Sequence, residues 1–279
     1  MTSNRPLSYG CWDCVLPHMN FHPRLQIPAF STLNKCIPIK IHYLKLSEQD
    51  IQIDNLVYTK PATIDLTKFN IKVLGRFLEH NIVIQSLKFG FPIFGLSSLK
   101  LTVRNLNIYN AVYFVSNRFL WEKLKPFLTE SSFPLQSLEI SDHSLLHSDV
   151  INKSQKLILS KHHCQTIEVN HKRVHRRAQT GIFDWSNNLI AEWIAHEYSI
   201  GKYFSLECLY QTECRVFFKN LQHLHGAKIS QSGGTRHGYC FTIPINRKAE
   251  INVWRTVENG KWIINIRIDP YGTATILEK

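Results

Sequence analysis

The sequence predicts an α/β chain with a short helical N-terminal segment, a long middle of strands and helices, and a β meander at the end. Three observations predict it. A phrase with apolar residues at the first, fourth and sixth positions recurs along the first half of the chain. Apolar residues spaced by three and four mark amphipathic helices between these phrases. Near the C-terminus, an Asn-Gly pair separates two apolar stretches, the second with Trp262, Ile264, Ile266 and Ile268 at alternate positions, the signature of a hairpin.

The recurring phrase is clearest at Leu135-x-x-Leu138-x-Ile140. Similar pieces are Ile41-x-x-Leu44-x-Leu46, Ile84-x-x-Leu87-x-Phe89, Leu96-x-x-Leu99-x-Leu101 and Cys164-x-x-Ile167-x-Val169, with Leu157-x-Leu159 as a shortened version. Each piece presents apolar side chains on one strand face. A single unit cannot bury that face, whereas stacked neighbours can. The predicted scaffold is therefore irregular and leucine-rich-repeat-like.

The elements follow in order. In residues 6–40 apolar positions recur at helical spacing, and Pro17, Pro23 and Pro28 divide them into two or three short helices. Strands are expected over 39–46 and within 51–59, then a helix over 68–80 capped by Thr67. Strands near 82–89 and 97–108 come next, separated by Gly90, Pro92 and Gly95. Ser116 is placed to cap a helix over 117–128, with Pro126 tightening its last turn. The strand 135–140 follows, so that strand, helix and strand form a parallel crossover.

Residues 148–177 hold a short helix and strands at 156–159 and 165–169, with the basic run 171–177 read as a solvated loop. A helix over 185–198, capped by Asp184 or Ser186 and followed by Gly201, leads to a half-buried strand at 203–210. A helix over 212–225 closes at Gly226. The polar segment 227–238 reads as an exposed loop. Strands at 239–245 and 251–257, the turn Glu258-Asn259-Gly260 and a last strand through Trp262, Ile264, Ile266 and Ile268 complete the meander.

Composition narrows the function. The chain has 279 residues, 44% hydrophobic and 19% charged, which excludes extensive disorder. No stretch approaches the roughly 20 apolar residues that span a bilayer, and the N-terminus lacks the apolar core of a signal peptide. The expectation is a soluble protein of the cytoplasm, with the nucleus as the alternative. The seven cysteines are scattered and read as reduced, packed thiols. The net charge of +12 suits a nucleic-acid or acidic-protein partner, or simply solubility.

Motifs for chemistry are sparse. Cys11-x-x-Cys14 with His18 and His22 is too tightly spaced for chain reversal around a tetrahedral zinc ion. His162-His163-Cys164 has no second ligand pair at useful spacing. Gly-x-Ser-x-Gly is absent, and Gly233-Gly234 lacks the Lys-Ser/Thr of a phosphate loop. The sequence points to a protein without catalysis, metal or cofactor. Lys172, Arg173, Arg176 and Arg177, with aromatics nearby, form the candidate nucleic-acid contact.

Four phrases carry a resemblance. Pro6-Leu7-Ser8-Tyr9 with Val15-Leu16, Leu25, Leu33 and Ile37-Pro38-Ile39 is similar to the start of the nematode F-box C group of F-box and F-box-associated proteins. Ser132-Phe133-Pro134-Leu135-Gln136-Ser137-Leu138 is another phrase of that group. So are Ile190-x-x-Trp193-Ile194 running on to Phe204-Ser205, and Ile243-Pro244-Ile245 before the meander. The resemblance implies an F-box-like segment over 1–40 and an F-box-associated domain over 41–279. It implies the substrate-recognition subunit of a Skp-cullin-F-box type ubiquitin ligase, which binds a protein target without bond chemistry. Leu7, Trp12, Val15, Leu16, Met19 and Leu25 would face the Skp-type adaptor, or would pack inward on the scaffold. The chain departs from the usual F-box opening, with Pro6-Leu7 in place of Leu-Pro. A basic nucleic-acid-binding module and an interaction domain without adaptor binding are the alternatives. No membrane partner is expected.

Overall fold

The computed structural model describes residues 38–77, 80–92, 95, 98–109, 116–160, 171–177, 182–196, 198–232 and 240–276. The chain divides into two compact units, Met1–Leu138 and Glu139–Lys279. Both are mixed α/β, dominated by sheet with few helices. Of the predicted helical segment 6–40, residues 6–37 lie outside the described residues, and Ile39 and Lys40 belong to the first strand. The predicted strand at 165–169 and residues 233–238 of the predicted loop also lie outside them.

The first unit runs β1 (Ile39–Leu46), β2 (Asp50–Ile53), β3 (Leu56–Thr59), α1 (Leu66–Leu74), β4 (Ile82–Phe89), β5 (Leu101–Ile108) and α2 (Asn117–Leu124), reaching β6 (Ser137–Ile140) at the boundary. The sheet order is β3-β2-β1-β4-β5, with β1, β4 and β5 parallel and the β2–β3 hairpin antiparallel. Three of these strands share a bend that accounts for the gap in the recurring phrase. A straight strand would send Ile84 and Leu87 to opposite faces, yet both are fully buried. The ladder pairs Ile41 with Ile84 and Ile84 with Val103, then Leu44 with Leu87 and Leu87 with Leu106. His42, Gln85 and Arg104 drop out of the pairing between these rungs and are exposed. One residue per strand is spent on the bend, and the apolar side chains return to the same face.

Side chains satisfy the backbone around the bend. Asp54, at φ 52°, accepts from the backbone N–H of His42 (2.9 Å) and Tyr43 (2.8 Å). Gln136 N–H donates to Arg104 O (2.8 Å), and Asn105 Nδ2 donates to Gln85 O (2.9 Å). Beside the first half of β5, Ser132 Oγ accepts from Val103 N–H (2.9 Å) and donates to Leu101 O (3.3 Å). Helix α1 lays Leu74, with Phe77 of the following 3-10 turn, over Ile41, Leu44, Leu46 and Ile82. Ser116 caps α2 by accepting from Phe119 N–H (3.2 Å), and Leu120, Trp121 and Leu124 form its buried stripe. Pro126 sits in the 3-10 turn that ends it.

The second unit holds α3 (Asp149–Asn152), β7 (Leu157–Leu159), β8 (Arg173–Arg176), α4 (Ile182–Ala195), β9 (Tyr203–Cys208), α5 (Gln211–His225), β10 (Lys228–Ser232), β11 (Cys240–Pro244), β12 (Ala249–Glu258), β13 (Lys261–Pro270) and β14 (Ala274–Ile276). Strand order is β7-β8-β9-β13-β12-β11-β10-β14. The first three are parallel, with α4 as the crossover between β8 and β9; the remaining pairs are antiparallel. One face is apolar, carrying Leu159, Val174, Phe204, Leu206, Ile251, Val253, Ile264 and Ile266. Helix α5 covers it, with Phe218 stacked on Phe241 at 5.0 Å between ring centroids. The other face carries a row of buried polar residues: His175, Ser205, Glu207, Asn265, Asn252, Thr242 and Glu250. The hairpin turn has Asn259 at φ 51° and Gly260 at φ 76°, the two left-handed residues that a twisted two-residue turn requires.

Several expectations need correction. Strand β5 begins at Leu101, so its repeat is Val103-x-x-Leu106-x-Ile108 rather than Leu96-x-x-Leu99-x-Leu101, of which Leu96 lies outside the described residues. Helix α1 is capped by Asp65, whose carboxylate accepts from Lys68 N–H (3.1 Å); Thr67 is already inside the helix. Asp184 and Ser186 likewise fall inside α4, and Gly201 (φ 88°) belongs to the turn into β9. Residues Arg173–Arg176 are a strand rather than a loop, because β7 and β9 pair with both of their edges. Lys228–Ser232 is also a strand, since β11 and β14 flank it. Strand β9 is buried on both faces from Phe204 to Cys208.

Candidate functional site

The six residues expected to face an adaptor, Leu7, Trp12, Val15, Leu16, Met19 and Leu25, lie outside the described residues. So do the Cys11/Cys14/His18/His22 cluster, His162-His163-Cys164 and Gly233-Gly234. Of the candidate nucleic-acid contacts, Lys172 and Arg173 are exposed and Arg176 is buried. Arg177 Nη2 pairs with Glu139 Oε2 at 2.8 Å. Strand alternation sends Arg173 and Arg177 to one side and Lys172 and Arg176 to the other, so the four make no common surface. Among the described residues no group of three or more His, Cys, Asp and Glu is arranged to hold a metal ion. Cys208, Cys214 and Cys240 are free and buried.

Local sequence gave no sign of the relay on the polar face. His175 on β8 lies between two residues of β9 that point the same way, Ser205 and Glu207. Its Nδ1 is 2.7 Å from Ser205 Oγ, and its Nε2 is 3.2 Å from Glu207 Oε1. Lys261 Nζ meets the other carboxylate oxygen at 2.8 Å. Burial holds the His175 pKa below its ordinary value, Lys156 adds to this, and Glu207 opposes it. A neutral ring facing a carboxylate donates from Nε2, which leaves Nδ1 to accept from the Ser205 hydroxyl. That is the connectivity of a nucleophile, base and acid. Acyl transfer also needs an oxyanion site and an approach to the hydroxyl. Here β9 is paired along both edges, by β8 and β13, which commits its backbone N–H groups, and Ser205 is only 3% exposed. The geometry suits a buried network that registers β8, β9 and β13.

The open site is on the helix-covered side of the same sheet. Helix α5 leaves the hairpin end of β12 and β13 uncovered, and a groove of about 630 Å³ remains there. Arg215 and Phe218 of α5 form one wall. Phe241 of β11, Val253, Arg255 and Val257 of β12, and Trp262 of β13 form the floor and the other wall. Val257 is 54% exposed. The Arg255 guanidinium lies over the Trp262 ring, 5.5 Å from its centroid. Among the described residues neither Arg215 nor Arg255 has an ion pair. The nearby Glu213 carboxylate is committed to the backbone N–H groups of Leu209 (2.9 Å) and Tyr210 (3.2 Å) at the start of α5. The arrangement joins apolar contact area with two uncompensated, planar hydrogen-bond donors. Its only trace in the sequence is the alternation of β12, which places Arg255 between Val253 and Val257 on one face.

No helix among the described residues is long and apolar enough to cross a membrane. No curated protein matches the chain, and neither does any solved structure. A family model described as a domain of unknown function (DUF3557) matches residues 70–208, from within α1 to the last residue of β9, so that the groove lies just beyond it.

Proposed function

We propose that the chain is the substrate-recognition subunit of a Skp-cullin-F-box type ubiquitin ligase. Its N-terminal segment docks on the Skp-type adaptor, and the remainder binds a protein target without bond chemistry. The observation that carries this reading is the groove beside α5. It is open, aromatic and cationic, and is built on a helix and three paired strands, which hold a recognition surface steady. The aligned bends of β1, β4 and β5 support the finer reading of the first unit as leucine-rich-repeat-like, since each strand contributes the same three buried rungs. The resemblance of the N-terminal phrases supports the adaptor. Such a subunit works in the cytoplasm or the nucleus, raising the local concentration of its target beside the ligase.

Affinity purification of the full chain tests the reading. The wild type should recover the Skp-type adaptor, and Leu7→Asp combined with Val15→Asp should lose it. Equal recovery by both would remove the assigned docking face. The nucleic-acid alternative is weakened by the burial of Arg176 and the pairing of Arg177. It would require binding that falls steeply with salt and is lost when Arg173, Arg176 and Arg177 become Ala.

A further inference from the structure

We infer that the groove beside α5 binds a short acidic segment of a partner protein, with an aromatic or branched aliphatic side chain set among its carboxylates. The inference rests on the recognition reading above and adds the place and the chemistry of the occupant. Charge complementarity carries it. Arg215 of α5 and Arg255 of β12 both line one groove, and no carboxylate among the described residues pairs with either. Guanidinium groups left without a partner beside apolar surface are matched by carboxylates, which they bind through paired N–H donors.

The surface between the arginines chooses the rest of the segment. Phe218 and Phe241 are stacked and half-buried, Trp262 lies under Arg255, and Val257 is open to solvent. An aromatic or branched side chain that covers Val257 and meets these rings removes apolar area from water at the centre. The two cations then bind at the rim. A uniformly charged polyanion would satisfy the arginines and leave that apolar floor wet. This favours a peptide over a nucleic acid.

The test uses the purified full chain and a displayed library of random peptides. Selected peptides should be enriched in Asp and Glu around an aromatic or aliphatic residue. Their affinity should drop at least about tenfold on Arg255→Glu and on Arg215→Glu. Arg255→Gln should fall between wild type and Arg255→Glu. Changing a selected peptide's Glu to Lys should restore binding to the Arg255→Glu protein. Unaltered circular dichroism and melting of these exposed-site variants show that the fold is kept. Peptides without acidic enrichment, or peptides that bind wild type and both Glu variants equally, would overturn the inference. So would a mixed-sequence single-stranded oligonucleotide that displaces the peptides from the groove. Adaptor recovery is measured on the same variants. Its absence would remove the ligase reading while peptide binding still decides the groove.

Discussion

Ser132 and His175 show how single side chains close gaps that the ladders leave. Ser132 takes the place of a strand beside the first half of β5, because its hydroxyl serves Val103 N–H and Leu101 O together. Ser132→Ala leaves a buried N–H without its acceptor. The loss should be about 1–3 kcal/mol, read by denaturant unfolding. The phrase Ser132-Phe133-Pro134-Leu135 stands out in the sequence, but the role of its serine did not, because the partner strand lies far upstream. His175 gives a pH test. Its folded-state pKa is lowered by burial first, so the unfolded chain binds the extra proton more readily. Stability is therefore fully present above the ordinary histidine value of 6.5 and is lost as pH falls below it through the folded value. The melting temperature of wild type should fall on acidification through this range, and His175→Gln should show a shallower slope. Equal slopes would mean that the ring titrates as it does in water.

At the scale of elements, caps and turns were partly legible. The Asn259-Gly260 turn and the Ser116 cap formed where their residues demand, since both are local devices with local partners. The start of α1 did not, because Asp65 also accepts from the first turn and lies two residues earlier than the candidate. Asp65→Ala should lower the melting temperature more than Thr67→Ala does. Gly260→Ala should cost about 1 kcal/mol, read by denaturant unfolding, because a Cβ is strained at φ 76°. The basic run misled for a physical reason. Whether Arg173–Arg176 forms a strand is decided by β7 and β9, and a run of charges says nothing about neighbours so distant in sequence. The recurring phrase, in contrast, was legible because each copy has the same apolar rungs. The copy expected at Leu96 lies one repeat before the rungs of β5, and the copy at 164–169 lies outside the described residues.

Across the whole molecule, the sequence signalled the α/β class and the C-terminal meander but not the groove beside α5. The groove arises from how far α5 reaches over β12 and β13, and no local pattern encodes that reach. The net charge suits a nucleic-acid or acidic-protein partner or simply solubility, and charge alone does not separate Arg215 and Arg255, without ion pairs among the described residues, from Arg177 and Lys261, which already hold carboxylates. The polar face of the second unit shows the converse. It brings a serine, a histidine and a glutamate together at hydrogen-bonding distance in the interior of a paired sheet. The central claim is that the chain links a target to a ligase through an adaptor. Quantitative mass spectrometry of the tagged full chain, purified at native expression, tests it most directly. The predicted result is a Skp-type adaptor recovered with wild type and with Arg215→Glu/Arg255→Glu, and lost with Leu7→Asp/Val15→Asp. The contradicting result is no adaptor with any form of the chain, or equal amounts with all three.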